Sequence, residues 1–226
     1  MYLKLRDDLS FCESDGQIIF LDLRADRYFR LPADAEARFR RHIGTIPLFE
    51  QDAVGLEPAG CAALIDRGLL VPASHPKPLR PAPIDLADSS LAETHRNRRV
   101  GATLALSIFD QIRARRLLKR PLLFNIQRIA SCRAASEAAG RVTGGDRVMN
   151  IAEAYRRSRA LISQHDHCLL KSLALAMRLA RIGAPATLVF GVRARPFAAH
   201  CWVQYDSMVL NDSVEHVHSF TPILAT

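Results

Sequence analysis

The chain has no Cys-x-x-Cys pair, and its five cysteines (Cys12, Cys61, Cys132, Cys168, Cys201) are scattered and odd in number. That pattern argues against a disulfide framework or a zinc ribbon and for reduced thiols. No apolar run approaches the roughly 18 residues of a membrane span. The opening MYLKLRDDLS carries charge where a secretory signal needs an apolar stretch. The expectation is therefore a cytoplasmic protein with no membrane partner. A phosphate loop of the Gly-x4-Gly-Lys-Ser/Thr type is missing too, so any ATP dependence has to come through a partner. No internal repeat is visible.

What is present is an ordinary globular composition: 226 residues, 49% hydrophobic and 24% charged. That length suffices for one large domain or two small ones. The net charge of +8 is unevenly spread. Residues 1–85 hold 11 Lys+Arg against 13 Asp+Glu, and the remainder 20 against 10. Such asymmetry suggests two units with different partners. The basic half is compatible with a plain solvated face, a surface for an acidic peptide or protein, or nucleic acid.

The segment VPASHPKPLRPAP, 71–83, holds five of the twelve prolines. Proline fixes φ and removes a backbone donor, so this reads as an interdomain linker. The expected division is a module over 1–72, a linker over 73–85 and a second domain over 86–226. In the first module LSFCES, QIIFLDL and RYFRL are strand patterns, and Asp15-Gly16 between the first two is a hairpin signal. Helical patterns follow at about 33–42 and 57–67, the second with Pro58 in its first turn and Gly68 past its end, then a short strand, LLVP. The expectation is a winged-helix-like three-stranded module. Its helix EPAGCAALIDRG has a single Arg, poor equipment for a phosphate backbone, so no nucleic-acid partner is expected.

The second domain opens with helical patterns at roughly 88–118, 121–139 and 146–163. A further helix over about 167–182 is apolar nearly all round and therefore buried. Strand patterns follow at 186–192, 198–205 and 208–212. The fold class expected is α+β, with helices packed on an antiparallel sheet.

Chemistry centres on HDHCLLKSLALAMRLARIG, 165–183. Cys168 sits where the apolar helix begins, and a helix N-terminus lowers a thiol's pKa and offers N–H groups to an oxyanion. Three readings stay open on the residues alone: a packed structural thiol, a metal ligand beside His165 and His167, or a nucleophile. Three sequence neighbours cannot easily surround a tetrahedral ion, so no metal site is expected. A nucleophile needs a base. His200 on the AAHCWVQY strand is the best candidate, with His165 or His167 as alternatives. Asp212 is the candidate to orient it. Asp212 is expected on the next strand, so the mechanism predicts an odd-length or bulged turn near YDSM, and an even, unbulged turn would rule Asp212 out as the orienting acid. A two-residue turn would pair Asp212 with Cys201, on the wrong side.

From Cys168 to Asp212 the order of motifs resembles the C-terminal protease of lasso-peptide biosynthesis B proteins, which have a transglutaminase-like (papain-like) fold. The matching pieces are Cys168-Leu169, Ser172-Leu173, Gly183 to Ala186, Leu188 to Val192, Ala199 to Val203 and Leu210 to Asp212. The resemblance implies a leader peptidase with Cys168 as nucleophile, His200 as base and Asp212 as orienting acid. Gln164 is a further candidate for the oxyanion. Cys201 departs from the family, which usually has alanine there; it is expected to face away from His200 and to leave the chemistry unaffected.

DRYFRLPADAEARF is similar to part of the peptide chaperone of pyrroloquinoline quinone synthesis. This likeness implies that an extended leader peptide joins the sheet edge along Arg27, Tyr28, Phe29 and Leu31, near Ala63 and Arg67. The implied partners are a ribosomal precursor peptide and a separate ATP-dependent, asparagine-synthetase-like lasso cyclase, with no intrinsic cofactor. A precursor-binding adaptor and a transglutaminase-like acyltransferase are the alternatives.

Overall fold

A computed structural model describes residues 2–45, 59–93, 101–158 and 168–226. The chain divides into two compact units, Met1–Pro83 and Ile84–Thr226. Expectations that rest on Pro58, on 94–100 and on 159–167, including Gln164, His165 and His167, lie outside the described residues.

In the first unit β2 (Leu9–Ser14), β3 (Gln17–Asp22) and β4 (Arg27–Phe29) form an antiparallel sheet in that order. The Asp15-Gly16 turn joins the first two strands, with φ of +48° and +73°. Both residues lie in the left-handed region that a two-residue hairpin needs, and Asp and Gly tolerate it best. β1 (Tyr2–Leu5), not expected from sequence, pairs with β5 (Leu70–Ala73) in a separate two-stranded sheet. The core gathers Leu3, Phe11, Ile18, Phe20 and Leu64 with Phe39 of α1 (Ala33–His42). Phe39 stands edge-on to Phe11 and to Phe20, each at 5.0 Å between centroids.

The proline-rich stretch, expected as a linker, is partly packed into the first unit. β5 runs into it, and Leu79 is buried in the first unit's core. Gly44 N donates to the Leu79 carbonyl at 2.7 Å and Leu79 N to that of Thr45 at 3.0 Å. Proline bars a regular ladder, but the non-proline residues between can still dock one by one.

The second unit is a five-stranded sheet with helices against it. Its strands are β6 (Ser89–Ser90), β7 (Thr187–Arg193), β8 (Ala198–Tyr205), β9 (Met208–Val209) and β10 (Thr221–Ala225), in the order β10-β7-β8-β9-β6. All pairs are antiparallel except β6 with β9. The helices are α3 (Gly101–Leu117), α4 (Leu122–Ala138), α5 (Gly145–Ser158), α6 (Cys168–Arg181) and the short α7 (Val214–His218).

α6 is the centre. Leu170, Leu173, Leu175, Met177 and Leu179 are all buried, and it packs against α3, α4 and strand β8. Each such side chain contributes about 2 kcal/mol of burial, which fixes this helix inside whatever its ends carry. It stops at Gly183, φ +74°, where any Cβ would collide with the Arg141 carbonyl. Glycine is required there.

α3 is turned the opposite way to its hydrophobicity. Ser107, Asp110 and Gln111 are buried, while Leu106, Phe109 and Ile112 are exposed. Hydrogen bonds decide the orientation. The Asp110 carboxylate accepts from Tyr155 Oη at 2.8 Å and Arg178 Nε at 2.6 Å, and Gln111 Nε2 donates to Ser158 Oγ at 2.7 Å. Buried polar groups that find partners are tolerated, and here they link α3 to α5 and α6.

Candidate active site

Three pieces of chain converge at the start of α6. Cys168 is its first residue, His200 lies on β8, and Asp212 follows β9. A brace one turn into the helix holds them in register. Ser172 Oγ donates to the Cys201 carbonyl at 2.9 Å and accepts from Asn211 Nδ2 at 2.8 Å. Asn211 Oδ1 accepts from Val203 N at 2.8 Å. One hydroxyl and one amide thus tie helix, strand and the residue before Asp212 together. Cys168 lies near enough to Cys201 and His200 for both to lower the pKa of its thiol. His200 Nε2 meets Asp212 Oδ2 at 2.5 Å.

The parity expectation is corrected here. The β8–β9 turn is the two-residue Asp206-Ser207, pairing Tyr205 with Met208, with no bulge. Asp212 nevertheless reaches His200, because it is not on a strand. Ladder pairing ends at Gln204–Val209, and the chain bends through 210–212 towards α7. Period-2 parity binds a side chain only while the ladder continues. The expected 208–212 strand is three residues too long.

Charges in this group hold one another. The hydrogen bond from Cys201 does most to hold the Cys168 thiol well below the ordinary thiol range; burial opposes it, and the bond and charge of His200 add to it. Burial would lower the His200 imidazole, but the hydrogen bonds and charges of Asp212 and Cys168 raise it to about 9. Burial would likewise raise Asp212, yet hydrogen bonds from His200, His216 and the Ser213 N–H bring it to about 2. At neutral pH the group is a thiolate–imidazolium pair backed by a carboxylate, which is how a cysteine is made nucleophilic.

Cys201 does not stand apart as expected. His200 lies near Phe220, ring centroids 5.1 Å apart, on the face of β8 where Trp202 is buried with Phe220. Cys201 points to the other face, and α6 covers that face. Facing away from His200 is what brings it to Cys168. Its own thiol is pushed far up by the bond to Cys168 and by burial, so it stays protonated and donates.

His216 is the residue that sequence reasoning missed. Its Nδ1 lies 3.0 Å from the same Asp212 Oδ2, and its ring centroid is 4.7 Å from that of His200. Ser213 caps α7, accepting from His216 N at 3.3 Å. That Ser-x-x-His spacing was the available signal. Gly191, opposite His200 across the β7–β8 ladder, leaves room for the packing beneath: a Cβ there would lie 2.8 Å from Trp202 and 2.9 Å from Phe220.

In the first unit Arg27, Tyr28 and Phe29 form β4, an edge of the three-stranded sheet. Arg27 is exposed, Tyr28 and Phe29 half-buried, and Leu31 buried in the core. Phe29 stacks on Phe20 at 5.1 Å. Ala63, half-buried, lies on α2 (Ala59–Asp66), and the exposed Arg67 follows that helix, whose main packing partners are α1 and β5.

Residues 111–225, just over half of the chain, match the transglutaminase-like superfamily, and the chain belongs to that superfamily. Its members typically work through a Cys-His-Asp set. That points to cysteine-protease-like or acyltransferase-like chemistry. No curated protein and no solved structure matches the chain. Among the described residues, no helix is long and apolar enough to cross a membrane.

Proposed function

We propose that the protein is a cysteine peptidase of lasso-peptide biosynthesis, cutting a ribosomal precursor between leader and core. The observation that carries the reading is the pairing of His200 Nε2 with Asp212 Oδ2 at 2.5 Å near the head of α6, where the Cys168 thiol is held low by its neighbours. The Cys168 thiolate attacks the scissile carbonyl carbon and a tetrahedral oxyanion forms, held by the backbone N–H of Cys168, with Gln164 as a candidate second donor. The C–N bond then breaks as the His200 imidazolium gives its proton to the leaving amine, freeing the core. The leader stays as a thioester on Cys168. Water, losing its proton to His200, attacks that thioester and releases the leader as a carboxylate. Asp212 keeps the imidazole oriented throughout.

The first unit, winged-helix-like in this reading, holds the leader. β4 is an edge strand of its sheet among the described residues, and an extended peptide could join there as an added strand, with Arg27, Tyr28, Phe29, Leu31, Ala63 and Arg67 as candidate contacts. Covalent linkage of the two units raises the effective concentration of the scissile bond. The reading places the protein in the cytoplasm, with no cofactor of its own and a lasso cyclase as partner. A candidate precursor incubated with the wild type should yield free core and a leader ending in a carboxylate, seen by mass spectrometry. Cys168→Ala should bind leader but yield neither. An amine-linked leader instead would establish the acyltransferase, and unchanged function in Cys168→Ala would leave only an adaptor.

A further inference from the structure

We propose that His200, Asp212 and His216 form a binding site for a divalent transition-metal cation of the zinc type, and that its occupation silences Cys168. The silencing rests on the peptidase reading; the binding does not. Two imidazole nitrogens, His200 Nε2 and His216 Nδ1, aim at one carboxylate oxygen, Asp212 Oδ2, at 2.5 and 3.0 Å. All three ligand atoms lie within 4.8 Å of one another. Two imidazoles and a carboxylate are a set that zinc accepts, at about 2.0–2.2 Å from each donor.

A tetrahedral ion needs its donors about 3.4 Å apart. The two contacts to Asp212 must therefore widen from 2.5 and 3.0 Å by about 0.9 and 0.4 Å, within reach of a side-chain adjustment. The surroundings suit the role. Ser213 N holds the other carboxylate oxygen at 2.9 Å, an orienting bond of the kind metal ligands use. His216 is more than half exposed, with 52% of its side chain accessible, so the ion has a way in from solvent. The fourth coordination position is left to water.

Binding exchanges the Nε2–H bond of His200 for a bond to the metal and releases that proton to solvent. The ring is then a neutral imidazole that keeps its one proton on Nδ1 and could give it up only as an imidazolate, so the thiolate loses its imidazolium partner and the leaving amine its acidic proton donor. The rival site for the same ion is Cys168 with His200, and the variants separate the two.

Zn2+ is titrated into the full-length protein and binding followed by calorimetry and by competition with a chromophoric chelator, alongside Cys168→Ala, His216→Ala and His216→Asn. Circular dichroism checks that each variant is folded. One Zn2+ per chain is expected in the wild type and in Cys168→Ala. Both His216 variants should weaken binding beyond the roughly 10–100-fold typical of losing only an outer-sphere partner. Precursor cleavage by the wild type should fall with Zn2+ and return with EDTA, and the His216 variants, each judged against its own metal-free rate, should resist. No binding by wild type, binding lost in Cys168→Ala, or binding kept in both His216 variants each overturns the site. The expected binding pattern in a protein that cleaves nothing leaves the site standing and removes the peptidase reading instead.

Discussion

Cys201→Ala gives the most direct test of how Cys168 is ionised. The Cys201 thiol is the leading cause of the lowered Cys168 pKa, ahead of His200. A hydrogen bond to a charged group contributes about 1.5–3 kcal/mol. At about 1.4 kcal/mol per pKa unit, its loss should raise Cys168 by roughly one to two units. His200 remains, so the midpoint should stay below that of an ordinary thiol. The rate of alkylation by iodoacetamide against pH reads this midpoint without any substrate. The acid limb of kcat/KM for precursor cleavage should move up by the same amount, while activity near pH 8 changes little. Cys201→Ser keeps a donor and should remain near wild type. Losing one buried sulfur costs about 1 kcal/mol of packing, so both variants should fold. An unmoved midpoint in Cys201→Ala would refute the assignment and leave His200 and the helix terminus as the sources of ionisation.

Asp212→Asn should lower kcat/KM by roughly 10²–10⁴-fold, in the range of removing an acid–base partner. It should also draw the basic limb of the pH profile from about 9 towards an ordinary imidazole value. The stabilisation from the raised His200 pKa is fully present below its unfolded value near 6.5 and is lost as pH rises through about 9. Cys168, held well below its unfolded value, contributes the opposite slope over the same window. Tm should therefore change little between pH 7 and 9 in the wild type. It should fall there in Cys168→Ala, where Asp212 still raises His200. Asp212 works in the other direction: its stabilisation is lost only as pH falls towards about 2. Gly191→Ala forces a Cβ against Trp202 and Phe220 at 2.8 and 2.9 Å, an overpacking that should cost about 1–3 kcal/mol in denaturant melts.

The strong periodic segments were legible. α1 and β8 fall where expected, and α6 lies within a residue of its expected ends. The Asp15-Gly16 hairpin fits its turn chemistry. Cys168, His200 and Asp212 were named from the sequence, and the structure brings them together. What escaped depends on where a ladder stops. β9 ends at Val209, three residues early, and everything after it was unread: the bend at Asp212, the cap at Ser213, His216 on α7, and β10. β1 was missed because YLKL becomes a strand only through β5, far along the chain. Cys201 was placed on the correct face of its strand, but which helix covers that face is tertiary information.

The inverted α3 makes the second unit's outer surface and its interior respond oppositely to substitution. Replacing Phe109 and Ile112, 58% and 55% exposed, with glutamate removes nothing that holds the helix and lessens the greasiness of the exterior. Making Asp110 leucine would look harmless on a hydropathy plot, yet it strips Arg178 and Tyr155 of their shared acceptor and releases the strut behind the helix that carries Cys168. In this protein the choice of which side of α3 meets water belongs to a carboxylate rather than to oil.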